Sequence, residues 1–371
     1  MADPRPVERD LKNLVVLLKP SLKRTSTGSV SFEKLDYHGI TLLAAESSGM
    51  INQDNATANL LKQRRALAIA NETLLKKALS DTFTQLCKLG LDRFIVFKGT
   101  ALAYSIYPKP WLRPRSDCDI LIDRRDLIRF KQAFEDLGFY CHFGISGHYV
   151  SYQQTFSRSL AGQSHLNIDL HWRISNRQCL ANTYELDELL NQSRVLASIC
   201  DSVRTPSTID NILIACLHRL GHHPDEERLT WLYDIHLLCA TLNPKDWAKL
   251  VSRAQNKNIC SITLDALQLC VKVFETSIPE STLNTLSGPD NLTEQSAFLL
   301  QRDHPQWQYF KHDIKSINGL KGKLGFIKET LFPSRDYLRH QMGTTSMLKA
   351  HLKRLKNGVK RFSRSPSSQD K

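Results

Sequence analysis

Asp117 and Asp119 stand one residue apart, separated by Cys118 and followed by Ile120, Leu121 and Ile122. On an extended strand alternate side chains share a face, so the two carboxylates project together while Cys118 turns to the core. A third acid, Asp169, lies where Leu166, Ile168, Leu170 and Trp172 alternate with Asn167, Asp169, His171 and Arg173. That alternation predicts a half-buried strand with Asp169 on its polar face. Three converging carboxylates form a hard oxygen set suited to Mg2+, with Mn2+ as its close substitute. Two such ions roughly 4 Å apart stabilise the attacking and leaving oxygens of an in-line phosphoryl displacement. Asp117, Asp119 and Asp169 are therefore the expected metal ligands and catalytic residues, with Asp169 also helping to deprotonate the nucleophile. A D-x-D pair alone is often two solvated turn residues; the third acid and the turn described next favour a site.

Lys98-Gly99-Thr100 closes the apolar run of residues 94–97 and opens a helical turn or two at 101–106, a natural place to hold phosphate. Gly99 permits close backbone approach, Thr100 offers a hydroxyl and Lys98 a point charge. These three either touch phosphate or only shape the turn. Arg115, just before the acidic pair, is expected to face a bound nucleotide; Arg113 divides evenly between that role and offsetting the aspartates. His171 shares the face of Asp169, where it either orients a carboxylate, touches the nucleotide or is a hydrogen-bonded structural histidine. His218 and His222 have the i, i+4 spacing of zinc ligands, but no third ligand is evident, and packing or substrate contact is the better reading. Asp234, on an apolar helix, is expected to pair with Arg228 or Arg219 and to support the cleft.

The elements that must position these residues follow from periodicity. Residues 30–90 carry apolar residues near helical spacing, with Gly90 as a stop. Prolines 108, 110 and 114 force an extended loop ahead of the acidic strand. A helix is expected over 126–137, closed by Gly138, then strands over 139–143, 148–156 and 166–174. Residues 161–164 read as a turn joining the last two into a hairpin. From about Thr208 the chain is helical again, interrupted at Asn243-Pro244 and at Ser287-Gly-Pro289.

Composition bounds the partners. The 371 residues carry a net charge of +13, and 311–364 hold fourteen Lys and Arg against Asp313, Glu329 and Asp336, leaving the rest nearly neutral. Such a stretch suits an anionic partner, either nucleic acid or a membrane surface, or is simply a solvated helical face. No apolar run approaches the roughly 20 residues of a membrane span. The N-terminus has no apolar stretch of a signal peptide, and nine dispersed cysteines without a C-x-x-C pair read as reduced thiols. A cytoplasmic location is expected.

Taken together, Phe97-Lys98-Gly99-Thr100, Arg115-Ser-Asp117-Cys-Asp119, Leu137-Gly138-Phe139 and Asn167-Ile-Asp169-Leu-His171-Trp172-Arg173 resemble the uncharacterised nucleotidyltransferase family of the polymerase-beta-like superfamily. His218, Leu229, Leu232 and Asp234 resemble its helical segment, and the likeness extends over about 30–345. The wider superfamily has a Gly-Gly or Gly-Ser pair where Lys98-Gly99-Thr100 stands; Lys-Gly is typical of this family. The resemblance implies an α+β fold, a small mixed β-sheet nucleotidyltransferase core flanked by helices, with helical N-terminal and C-terminal regions. The expected divisions are 1–90 (helical), 91–200 (core), 201–285 (helical lobe), 286–362 (basic helical region) and 363–371 (disordered tail). The expected activity is Mg2+-dependent transfer of an NMP from an NTP such as ATP, releasing pyrophosphate, to an acceptor that is a small molecule, protein or RNA. Lys98, Gly99, Thr100, Arg115 and His171 are the expected nucleotide-binding residues. The alternative is a nucleic-acid-binding protein with an inactive core, using the basic 311–364 segment.

Overall fold

The computed structural model describes residues 14–18, 31–53, 55–145, 147–221, 226–288, 293–301 and 304–342, with 349, 353, 354 and 356 beyond. His222 and the tail at 363–371 lie outside the described residues.

Two short helices, α1 (Phe32–Tyr37) and α2 (Thr41–Ser47), precede the 33-residue helix α3 (Ala56–Lys88). Asn55 caps α3, its side chain accepting from the Ala58 N–H at 2.9 Å. Gly90 ends it by taking φ +70°, which lets the Leu91 N–H reach back to the Leu86 carbonyl at 2.9 Å. Then come β1 (Phe94–Phe97), α4 (Lys98–Ser105), β2 (Cys118–Ile122), α5 (Leu127–Asp136), β3 (Tyr140–Cys141), β4 (Gln153–Ser159) and β5 (His165–His171). The five strands form one mixed sheet in the order β1-β2-β5-β4-β3. Only β2 and β5 run parallel, and their register sets Asp119 beside Asp169.

The sheet has helices on both faces because alternate residues of its central strands feed two cores. Phe94, Val96, Cys118, Ile120, Ile168 and Leu170 pack with Phe83 and Leu86 of α3 and Phe130 and Phe134 of α5. Ile95, Phe97 and Leu121 point the other way, into a larger core with the helices that follow. Cys118 is buried in the first core, as its place between the aspartates requires. Asp119 therefore belongs to the second face.

That second core is built by α6 (Gln178–Ala181), α7 (Leu186–Asn191), α8 (Thr208–Gly221), α9 (Leu229–Cys239), α10 (Pro244–Asn256), α11 (Cys260–Phe274) and α12 (Glu280–Leu286), beside a small ribbon of β6 (Arg194–Val195) and β7 (Arg204–Thr205). Asn243 and Asp246 form a capping box that starts α10, the break expected at Asn243-Pro244. The chain continues through α13 (Gln306–Ser316), α14 (Leu320–Leu331) and α15 (Arg335–Met342). Among the described residues no helix is long and apolar enough to cross a membrane.

Three strands differ from the periodicity, the one expected over 139–143 being only Tyr140–Cys141. The strand expected over 148–156 begins at Gln153 and runs to Ser159. The reason is distant in sequence: the backbone N–H groups of His148, Tyr149 and Val150 donate to the Glu329 carboxylate of α14, at 3.3, 2.9 and 3.4 Å. The strand expected over 166–174 stops at His171. The Asn176 side chain accepts from the Tyr152 N–H at 2.8 Å and turns the chain away from the sheet.

Candidate active site

Asp119, second in β2, is 6% exposed. Its Oδ1 accepts from Lys98 Nζ at 2.7 Å and from His171 Nε2 at 2.8 Å. Burial alone would raise its pKa, but the Lys98 ammonium and the His171 N–H hold the carboxyl well below the usual range. His171 is itself lowered, by burial and then by the Lys98 charge, so it is a neutral donor here. The Phe97 ring meets the imidazole edge-on with centroids 5.2 Å apart and fixes its plane. Lys98 adopts φ +54°, a left-handed conformation that costs a non-glycine residue about 1–3 kcal/mol. The β1-to-α4 turn tolerates this because the side chain ends on Asp119.

Asp169 is held from the neighbouring strand. Thr155 Oγ1 donates to its Oδ1 at 2.6 Å and Gln153 Nε2 to its Oδ2 at 2.9 Å. Asp119, Asp169 and His171 offer ligand atoms within 4.8 Å of one another. Asp117 stands just before β2, outside that tight group, and accepts from Ser116 Oγ at 2.8 Å. Its pKa is pushed up to about 6, by burial first and then by the charges of Asp119 and Asp169. The Asp119–Asp169–His171 group fits a divalent cation, and Asp117 lines the same cleft as Asp119.

Lys98, Gly99, Arg115, Asp117 and Asp119 all line one cleft of about 550 Å³, whose far wall is Asn211, His218, Trp231 and Asp234 of α8 and α9. Asp169 and His171 stand beside Asp119 on β5. Thr100 is fully buried behind the cleft: its hydroxyl donates to the Asp117 carbonyl and accepts from Arg115 Nε, both at 3.1 Å. Arg115 spreads its guanidinium on Glu72 of α3, at 2.9 and 2.6 Å. A Cβ on Gly99 would make ordinary contacts with two arginines, 3.4 Å from Arg113 Nη1 and 3.5 Å from Arg115 Cβ.

Three partners were not legible in the sequence. Glu72, more than twenty-five residues before the next site residue, receives Arg115 and the Tyr104 hydroxyl. Thr155 and Gln153 hold Asp169, and the only hint of them was polar alternation along β4. Asp234 pairs with neither Arg228 nor Arg219: those bind Glu226 and the Glu227–Asp265 pair. Its partners are Arg113, which forks onto it at 3.1 and 2.7 Å, and Tyr107, whose hydroxyl donates at 2.7 Å. Arg113 is thus an offsetting charge between the sheet and the helices. His218 packs edge-on against Trp231 with centroids 5.5 Å apart and lines the cleft wall; the i+4 histidine expected beside it, His222, lies outside the described residues.

The family model described as an uncharacterised nucleotidyltransferase matches residues 34–275, well over half of the chain. The chain belongs to that family. No curated protein matches it. The family span contains every site residue named above and stops short of α13, α14 and α15. Family membership places the chain among nucleotidyltransferases, and the Asp119–Asp169–His171 group offers atoms to a divalent metal of unspecified identity.

Proposed function

We propose that the protein moves an NMP from an NTP to an acceptor hydroxyl or other nucleophile, releasing pyrophosphate, with Asp117, Asp119 and Asp169 holding Mg2+. The observation that carries this reading is the parallel register of β2 and β5, which sets Asp119 and Asp169 side by side where Asp117 and Lys98 also converge. A cleft of about 550 Å³ lies within the roughly 300–1,000 Å³ of small-ligand sites and admits a nucleotide. The metal, when bound, would offset charge on the phosphates and on the attacking oxygen.

The chain's own residues do the rest. Lys98 and the first turn of α4 face the phosphates, and Gly99 puts no side chain between that turn and the cleft. Arg115 and Thr100 act on Asp117 rather than directly on the nucleotide, since both are bound into the Glu72 network. His171 orients the Asp119 carboxylate. The acceptor oxygen attacks the α-phosphorus, its proton passes to the Asp169 carboxylate, and the bond to the bridging oxygen breaks so that pyrophosphate leaves with the electron pair.

Purified protein with Mg2+ and NTPs labelled at the α-phosphate, offered small-molecule, protein and RNA acceptor pools, should transfer α-label and never γ-label. Asp117→Ala and Asp119→Ala should each lower the rate at least about 100-fold. Transfer unchanged in both variants would sink the mechanism. RNA binding that survives both substitutions, with no transfer to any pool, would favour the non-catalytic alternative.

A further inference from the structure

We propose that α14 is a docking surface for an anionic lipid bilayer, seating the molecule on a membrane face without crossing it. The helix is amphipathic the wrong way round for a purely structural element. Its inner side carries Gly322, Gly325, Phe326 and Glu329. Phe326 is buried, Glu329 receives the backbone N–H groups of residues 148–150, and any side chain on Gly325 would collide with the Tyr149 ring. These contacts fix which face looks out.

The outward face is apolar. Leu320, Leu324, Ile327 and Leu331 recur at i, i+4, i+7 and i+11, one stripe of a 3.6-residue helix. Leu320 is 73% exposed, Leu324 57% and Leu331 45%, so the stripe meets solvent although the same helix buries a phenylalanine beneath. Lysines frame it: by the 100° rotation per residue, Lys321 and Lys328 fall on one flank and Lys323 on the other. Arg335 and Arg339, both exposed, continue the charge into α15.

The pairing of groups selects the partner. Nucleic acid would draw on the lysines alone or with stacking aromatics, and would leave three exposed leucines in water. A protein groove would take the leucines but not call for cations on both flanks. An anionic bilayer takes both, leucines entering the acyl boundary and lysines meeting lipid phosphates. The 12-residue helix, ~18 Å long, lies along such a surface rather than through it. The surface is outside the span matched by the family and is independent of the chemistry of the aspartates.

The test is co-sedimentation of the full chain with phosphatidylcholine vesicles, with and without phosphatidylglycerol. The wild type should bind the anionic vesicles and not the neutral ones. Leu320→Ser/Leu324→Ser/Leu331→Ser should weaken binding at least about tenfold, as loss of inserted apolar area requires. Lys321→Glu/Lys328→Glu should do the same through charge, at about fivefold or more per lysine. Asp119→Ala should bind as the wild type does. Far-UV circular dichroism verifies folding, and the lysine pair gives a second reading should the leucine variant unfold. No binding to anionic vesicles overturns the proposal. So does vesicle binding that is insensitive to the leucines, or a single-stranded RNA probe bound where vesicles are not. A dimer that only the leucine variant dissociates, without vesicle binding, overturns it in favour of a second copy.

Discussion

Lys98 and Asp119 are both nearly buried, so each charge is stable there chiefly because the other is present. Replacing Lys98 with Met strands a buried carboxylate, and chemical denaturation of the metal-free protein should show a loss of about 3 kcal/mol. Asp117 poses the opposite problem. Its folded pKa of about 6 lies above the unfolded value of about 3.9, so its contribution to stability is present at low pH and is lost as pH rises through about 6. Asp119, held low, works in reverse: its contribution is present at neutral pH and lost on strong acidification. A cation held as proposed would remove the penalty at Asp117. Thermal melts should therefore show Mg2+ raising the midpoint more at about pH 7.5 than at about pH 5, and equal shifts would contradict the metal assignment. At this scale the shared face of Asp169 and His171 was legible, because strand alternation decides which side chains share a face; Asp117 falls just before β2, where alternation does not place it. The hydrogen-bond partners of Asp169 were not, because Gln153 and Thr155 are chosen by cross-strand register, which no local pattern fixes.

Helix α3 reaches the site through one side chain. Glu72 anchors Arg115, which orients Thr100, whose hydroxyl holds the Asp117 carbonyl. Glu72→Ala should cost about 3–5 kcal/mol in denaturant unfolding by leaving the buried Arg115 guanidinium without its carboxylate. Glu72→Gln, which keeps an acceptor, should retain more of the fold while weakening Mn2+ binding measured by electron paramagnetic resonance. Affinity equal to the wild type in a folded Gln variant would confine Glu72 to a structural role. A similar dependence explains the shifted start of β4. The alternation at 148–156 reads as strand until Glu329, nearly 180 residues away, captures the backbone N–H groups that would have joined the ladder. Helix α14 in turn depends on its glycines. Gly325→Val should undock it, seen as faster amide exchange at residues 148–150 with the core helices still protected.

Across the whole molecule, Arg113, Asp234 and Tyr107 join the loop before β2 to α9 and close the back of the cleft. Asp234→Ala leaves a buried guanidinium and should lower stability by about 3–5 kcal/mol. In the fraction that stays folded, it should raise the KM for nucleotide more than it lowers kcat. An unaltered KM would separate this clamp from the cleft's shape. The sheet was legible in part because β1 is a short apolar run and β5 alternates cleanly, whereas the polar β4 begins later than its alternation implies. The joining of the helices to the sheet was not, since it rests on ion pairs between residues 121 positions apart. The placing of β5 next to β2 has a consequence for synthesis on the ribosome. Lys98 directly follows β1, the antiparallel neighbour of the strand that carries Asp119, and both strands are present once residue 122 has been made. Asp169 arrives only after β3 and the β4 turn have been made, so no nascent chain shorter than about that length contains the full carboxylate set. In any such shorter chain the lysine that pairs with Asp119 is already present, whereas the strand that carries Asp169 is not.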